Sequence, residues 1–412
     1  MDARAPAGWG AGCSAPGSTR SLLGLRPEVA FRGGLAALDE ARRWLAEFRG
    51  RPPLDAVLIG SFAYELGHEF AAGRVSRRSD SRSDLVSLCG FRALYLYDAL
   101  SRSGSVVGGG ARATADLADE LCSLPAETAA QPPPRVARAS ARTNDCEFLE
   151  AVRRAQAYIR RGDVYQVNLA RRLDAVAPGA SDLRSLYRRL ADLTEAPFCA
   201  YLETPELTLL SSSPERFLHS DGADVETCPI KGTRPRGRTP GEDAALLREL
   251  VGSAKDRAEH VMIVDLERND LGRVCEIGSV HVPELCAPRS FSDVHHLVST
   301  VRGRLREPGD WTALLAATFP GGSITGAPKL RAMQIVAELE PVARGVYTGA
   351  IGCIDAAGDV DLSIAIRTAI AARGELHVHL GGGIVADSDP ASELVETRDK
   401  GRGFARSWGF EA

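Results

Sequence analysis

VYQVNLA, residues 164–170, alternates apolar and polar side chains. At a repeat of two, Tyr165, Val167 and Leu169 share one face of a strand and Gln166 and Asn168 the other, so a pair of amides lines one side of a sheet. Upstream, Asn144 with Glu147 three residues later is a helix-start signature, and Phe148, Val152, Ala155 and Ile159 then recur at helical spacing until Gly162. Downstream, LTLLSSS (207–213), DVETCPIK (224–231) and VDLSIAIRTAI (360–370) read as strands. Residues 182–193, 242–266, 328–339 and 390–401 read as helices. Runs of strands broken by hairpins and helices, rather than strict βαβ alternation, predict an α+β fold.

Composition narrows the function by exclusion. Lys and Arg number 50 against 54 Asp and Glu, a net charge of -4, so no whole-chain field attracts nucleic acid or an anionic membrane. No apolar run approaches the roughly 20 residues needed to cross a bilayer. The 9 cysteines are scattered without a C-x-x-C pair, and are expected to be buried thiols of a cytoplasmic protein. Residues 1–20 lack an apolar signal core and read as a flexible tail. The Ser/Arg/Asp-rich stretch 71–84 reads as a surface loop, and 126–143, with Pro132 to Pro134, as a linker. The linker separates an N-terminal portion, 21–125, from a larger portion, 144–412.

Four segments of the larger portion carry chemistry. On one predicted helix Asp256 and Glu259 lie on the face continued by Ile263 and Leu266. On another, Asp389 caps, Pro390 starts the helix, and Glu393 and Glu396 repeat the same spacing. Carboxylates on faces due for burial need a cation, and oxygen-only ligation suits Mg²⁺. The same spacing also fits solvated faces paired with Arg257 or Lys400. A second segment is the strand ending at Arg367, with Asp361, Ser363 and Ala365 on its face, followed by Gly381 to Gly383. An arginine and an open glycine backbone suit an organic acid. A third, PGGSITGAPK (320–329), fails as a nucleotide phosphate loop because Ala327 and Pro328 separate Gly326 from Lys329. In the fourth, CPIKGTRPRGR (228–238), Lys231 ends a strand, and its amine is a nucleophile once deprotonated; the plain alternative is a basic surface loop. No nucleophile elbow of a glutaminase appears in the sequence.

Taken in order, YQVNLAR (165), SSSPERF (211), PIKGTRPRG (229), AEHVMIVDLERNDLGRVC (258), FPGGSITGAPKLRAM (319), YTGAIG (347), IRT (366) and GGGIVADSDPASELVETRDK (381) resemble the chorismate-utilising enzymes. The resemblance covers about 145–405, and GSFAYELGHEF (60–70) resembles the N-terminal portion of the same family. It implies a large sandwich of two sheets with helices outside, and binding of chorismate with Mg²⁺. Within the family, the branch that makes anthranilate has alanine where this chain has Lys231, and the branch that aminates C4 has lysine. Branches that hydroxylate chorismate use a lysine base where this chain has Gln166, and an amide cannot take up that proton.

The resemblance therefore implies amination of chorismate at C4 to 4-amino-4-deoxychorismate, the precursor of 4-aminobenzoate for folate, through a covalent intermediate on Lys231. It implies Glu215 as the acid for the departing hydroxyl, Glu259 and Glu396 as Mg²⁺ ligands, and Asp256 and Glu393 as holders of the ion's waters. Asp256 is one methylene shorter than the glutamate of several relatives. Arg367, Gly382, Gly383 and Lys400 would hold the substrate carboxylates, with Thr233, His296 and Thr348 around the ring. Ammonia would come from a glutamine amidotransferase subunit, and a tryptophan pocket would involve Tyr64 and Pro197. The alternatives are the anthranilate-forming branch and a non-catalytic regulatory subunit that binds chorismate or an aromatic amino acid.

Overall fold

Alternating strand patterns close into two large antiparallel sheets in the computed structural model, which describes residues 2–5, 20–75, 84–98, 100–123, 136, 140–291 and 294–408. In the first sheet the order runs Gly326–Ala327, Gln166–Val176, Glu375–Ile384, Thr368–Ala372, Thr208–Ser213, Phe198–Glu203, Asp2–Ala5, Arg20–Leu23, Ala93–Asp98 and Ser103–Gly108. In the second it runs Ile230–Pro235, Val294–Arg304, Asp224–Thr227, Arg216–Asp221, Val360–Ile364, Ala350–Asp355, Val57–Phe62, Val86–Phe91 and Val29–Gly33. Strands from the N-terminal portion thus prolong both sheets at the ends away from the acidic helices. Asp2–Ala5 is a strand where a flexible tail is expected. Residues 6–19 and most of the expected loop and linker lie outside the described residues.

The helix Asp145–Arg160 begins as its sequence requires. Asn144 accepts from the Glu147 backbone and Glu147 from that of Asn144, a reciprocal cap. Its buried Phe148, Val152 and Ala155 pack in one core cluster with Val167, Leu169 and Ile384 of the first sheet and Leu394 of the helix Pro390–Lys400. The strand at the amide pair starts at Gln166, and Tyr165 stands 72% exposed ahead of it instead of facing the core.

Three expected elements are broken, each for a local reason. DVETCPIK divides into Asp224–Thr227 and Ile230–Pro235 around Pro229, which has no N–H to give a ladder. The 242–266 helix is two, Pro240–Gly252 and Ala254–Gly272; Ser253 ends the first and caps the second by accepting from the Asp256 N–H. VDLSIAIRTAI divides into Val360–Ile364 of the second sheet and Thr368–Ala372 of the first. Arg367, with φ 51°, turns the corner and so lies off the strand face shared by Asp361 and Ser363. Cysteine burial is also mixed: Cys122 and Cys146 are exposed, and Cys228 is disulfide-bonded. Among the described residues no helix is long and apolar enough to cross a membrane.

Candidate active site

The chain passes between the sheets twice at one place. Thr208–Ser213 of the first sheet leads through Pro214 and Glu215 into Arg216–Asp221 of the second, and Ala365 to Arg367 makes the reverse passage. The passages are bonded together: Ser213 Oγ donates to Ile364 O at 2.6 Å, Ile364 N to Glu215 O at 3.0 Å and Ser212 N to Arg367 O at 3.1 Å. Glu215 and Arg367 are thereby fixed relative to each other by main-chain bonds.

Glu215 is 5% exposed, and its Oε1 accepts from the Ile230 N–H at 3.4 Å. Burial pushes its carboxyl up to about 7, against the pull of Ser323, Lys231 and Lys400. Half-buried Lys231 faces the same space. Burial and the Lys400 charge lower its amine, while Glu215, Glu259 and Glu396 oppose that shift. An acid that still holds its proton in about half the molecules at neutral pH and an amine eased toward its neutral form therefore share one space.

The acidic helices close this space. A Cβ built on Gly382 would lie 3.1 Å from Glu393 Oε2, 3.4 Å from Glu396 Oε1 and 3.7 Å from Lys400 Nζ, so only glycine leaves that surface open. Lys400 Nζ bridges Gly381 O and Glu396, both at 2.7 Å. Burial raises Glu259, with Asp256 and Glu396 adding repulsion; burial raises Glu393, with Glu396 adding repulsion. Lys400, by contrast, holds Glu396 down. The four carboxylates thus feel one another, each with a neighbour: Glu259 with Lys255 at 3.9 Å, Glu393 with Ser388 Oγ at 2.6 Å, and Asp256 with Arg234 at 3.2 Å, rather than with Arg257. Among the described residues no group of three His, Cys, Asp or Glu side chains stands close enough to hold a metal ion as it is.

His296 Nδ1 pairs with Thr233 Oγ1 at 3.0 Å, and burial brings the imidazole down to about 4, with Arg367 and Lys400 adding to the shift. These cations thus reach the same pocket wall as His296. Thr348, at φ 59°, is held behind that wall: its N–H donates to Ala365 O at 2.8 Å, and Arg344 Nη1 donates to its Oγ1 at 3.2 Å. Gly383 lies against the amides, since a Cβ there would stand 2.6 Å from Gln166 Nε2 and 2.9 Å from Asn168 Oδ1. Tyr64 is 1% exposed beneath the Arg344 guanidinium, 4.5 Å from ring centre to cation. Pro197 is half-buried just before Phe198–Glu203.

The residue roster matches a family. Residues 25–406 match the family described as chorismate binding enzyme. The chain belongs to the chorismate binding enzyme family. Aminodeoxychorismate synthase component 1 of Klebsiella aerogenes is 52% identical over 254 residues, 62% of this chain and 56% of that protein. An anthranilate synthase component 1 of Haloarcula marismortui is 46% identical over 267 residues, 64% of this chain and 54% of that one. The chain thus spans little more than half the length of these curated relatives. The crystal structure of anthranilate synthase component I from Streptococcus pneumoniae superposes with a TM-score of 0.82 at 28% identity, covering 94% of this chain and 92% of that one. MenF, the menaquinone-specific isochorismate synthase of Escherichia coli, shares the fold at TM-score 0.77 and 18% identity, covering 95% and 86%. The two-sheet sandwich expected from the sequence is therefore a property of the chorismate binding family.

Several residues at this site escaped the sequence reading. Ser323 beside Glu215 lies in the segment set aside as a failed phosphate loop, whose Lys329 instead pairs with Asp270 at 2.6 Å. Glu267 is 8% exposed, accepts from Thr227 Oγ1 at 2.9 Å, and is raised to about 8 by burial and then by Glu215. Its signal was available: Ile263, Glu267 and Asp270 continue the buried helix face at spacings of four and three.

Proposed function

We propose that this chain aminates chorismate at C4 to give 4-amino-4-deoxychorismate, as the aminating component of a two-component synthase. The observation that carries the reading is the Lys231 amine, on which the charges of Glu215, Glu259, Glu396 and Lys400 all act. The likeness to proteins named aminodeoxychorismate synthase component 1 supports it.

In the first half-reaction the Lys231 lone pair forms a bond to C2, both ring double bonds shift, from C1–C2 and C5–C6 to C1–C6 and C4–C5, and the C4–O bond breaks. The proton of Glu215 goes to the hydroxyl, which leaves as water. In the second, ammonia forms the C4–N bond, both double bonds shift back, and the C2–N bond to Lys231 breaks. The ammonium proton passes to the Glu215 carboxylate, restoring the starting acid and amine. Arg367, Lys400 and the open backbone at Gly382 and Gly383 hold the substrate carboxylates, while His296, Thr233 and Thr348 bound the ring.

Asp256 and Glu396 repel Glu259, Glu396 repels Glu393, and all four are hard oxygen donors, a set that fits one Mg²⁺. Glu259 and Glu396 would hold it directly, and Asp256 and Glu393 from outside; when bound it supplies a positive clamp for the ring carboxylate. Ammonia comes from a glutamine amidotransferase subunit, and the product serves 4-aminobenzoate formation for folate. Incubation with chorismate, Mg²⁺ and ammonium, followed by mass spectrometry, tests the reading. The expected product retains the enolpyruvyl group; anthranilate with released pyruvate would transfer the chain to the other branch.

A further inference from the structure

On the side of Gln166–Val176 away from Glu375–Ile384 the main-chain ladder has a gap. Gly326–Ala327 pairs with Gln166 and Val167, and Thr325 O accepts from the Asn168 N–H at 3.0 Å. Main-chain bonding resumes at Arg172, whose oxygen accepts from the Arg142 N–H at 2.9 Å. Asn168 O and Ala170 N fall in between, and buried main-chain groups need partners. Two side chains supply them: Arg344 Nη2 donates to Asn168 O at 2.8 Å, and Glu340 Oε1 accepts from the Ala170 N–H at 2.9 Å. Arg344 also donates to both oxygens of Glu340, at 2.7 and 2.9 Å. The ion pair thus stands in for a stretch of neighbouring strand.

Arg344 is 2% exposed, and its other N–H groups reach two further walls of the site. Nη1 donates to Ile324 O and to Thr348 Oγ1, both at 3.2 Å. Ile324 follows Ser323, whose main-chain oxygen accepts from Asn168 Nδ2 at 2.8 Å; Asn168 Oδ1 in turn accepts from Gln166 Nε2 at 3.0 Å. One guanidinium therefore fixes the amide strand, the segment carrying Ser323 and the turn carrying Thr348 relative to one another. The flat, rigid fork of arginine suits three oxygens on separate segments, which the compact ammonium of a lysine would not span.

The fork is held from the N-terminal portion. Glu65, 3% exposed, accepts the main-chain N–H of Arg344 on Oε1 at 2.8 Å and that of Gly345 on Oε2 at 3.1 Å. The Tyr64 N–H donates to Gly345 O at 2.7 Å, and its ring lies under the guanidinium. We propose that Arg344 and Glu65 are positioning residues of the reaction centre, setting the spacing of the amide strand, Ser323 and Thr348, so that the N-terminal portion is part of the catalytic unit. The assignment rests on the aminating function proposed above. The bonds of Arg344 and Glu65 go to these walls, whereas the substrate carboxylates are assigned to Arg367, Lys400 and the Gly382–Gly383 backbone; spacing and substrate grip can therefore be separated.

The test uses the full chain with ammonium chloride as nitrogen source, comparing Arg344→Lys, Glu65→Gln and Glu65→Asp with the unmodified protein. Product formation gives kcat, and calorimetry without ammonium gives Kd for chorismate. Arg344→Lys keeps the charge beside Glu340 and loses the fork; kcat should fall about 10²-fold, the cost of a small misplacement, while Kd stays within about threefold. Glu65→Gln keeps the size but offers one acceptor end to two N–H groups, and kcat should fall about tenfold. Glu65→Asp keeps both acceptor ends and should be the less impaired of the two. Chorismate binding reports folding, so a collapsed Arg344→Lys leaves the decision with the Glu65 pair. An unchanged kcat per chorismate-binding molecule, kcat and Kd worsening in step, or Glu65→Asp poorer than Glu65→Gln would overturn the assignment. An unmodified protein that converts chorismate to a different product would overturn the aminating function alone, with kcat then read on that product; one that binds chorismate and converts none would overturn both.

Discussion

Replacing Glu215 by Gln tests the acid. Burial places its carboxyl at about 7, so roughly half the molecules hold the proton at neutral pH. Above that point the protonated fraction falls about tenfold per pH unit, and kcat/KM should fall with it. In the proposed mechanism Lys231 contributes the opposite limb: its reacting form would be the neutral amine, whose share grows with pH, and its lowered affinity for protons brings that limb toward the working range. The product of the two is a bell. Glu215→Gln retains the volume and an acceptor for the Ile230 N–H but has no proton to give. A loss of about 10²- to 10⁴-fold in kcat is expected, together with disappearance of the alkaline limb. The assay is initial-rate formation of the aminated product with ammonium across pH 6 to 9, at a fixed concentration of free ammonia. A Glu215→Gln protein that keeps the alkaline limb, or loses less than about threefold in rate, would refute the acid role.

Lys231→Ala should abolish the aminating route while leaving chorismate affinity within a few-fold, because the amine acts in bond making; turnover at the normal rate would show that ammonia attacks without covalent help. Gly382→Ala puts a methyl group 3.1 Å from Glu393 Oε2 and 3.4 Å from Glu396 Oε1, so KM for chorismate should rise about tenfold or more; steady-state kinetics checks it. Glu267→Gln is a stability test. Its carboxyl at about 8 lies above the ordinary 4.5, so the folded protein keeps a proton that the unfolded chain releases, and stability declines as pH climbs from 4.5 to about 8. The variant lacks that decline, and its Tm advantage should be larger at pH 8.5 than at pH 5; equal differences at both would contradict the buried-acid description.

Local periodicity made the fold class and the element at Asp145–Arg160 legible, because the capping pair and the apolar repeat are short-range signals. The acidic helices were legible for the same reason: Glu393 and Glu396 lie at Gly382, Asp256 lies against Gly232, and Glu259 and Glu396 both act on Lys231. The corner at Arg367 was hidden. The stretch from Val360 to Ile370 carries no glycine or proline, and the turn is imposed by the two sheets it joins. Ser323 was hidden for another reason, since its relation to Glu215 exists only once strands 108 or more residues apart in the chain are brought together by the passages between sheets. Lys231 and Gln166 were singled out only through resemblance, whereas the orientation of the Gln166 amide could come only from its neighbours.

The stitched passages at Glu215 and Arg367 act as a hinge pin through both layers of the sandwich. Any displacement of one layer against the other would therefore carry Glu215 and Arg367 as one piece.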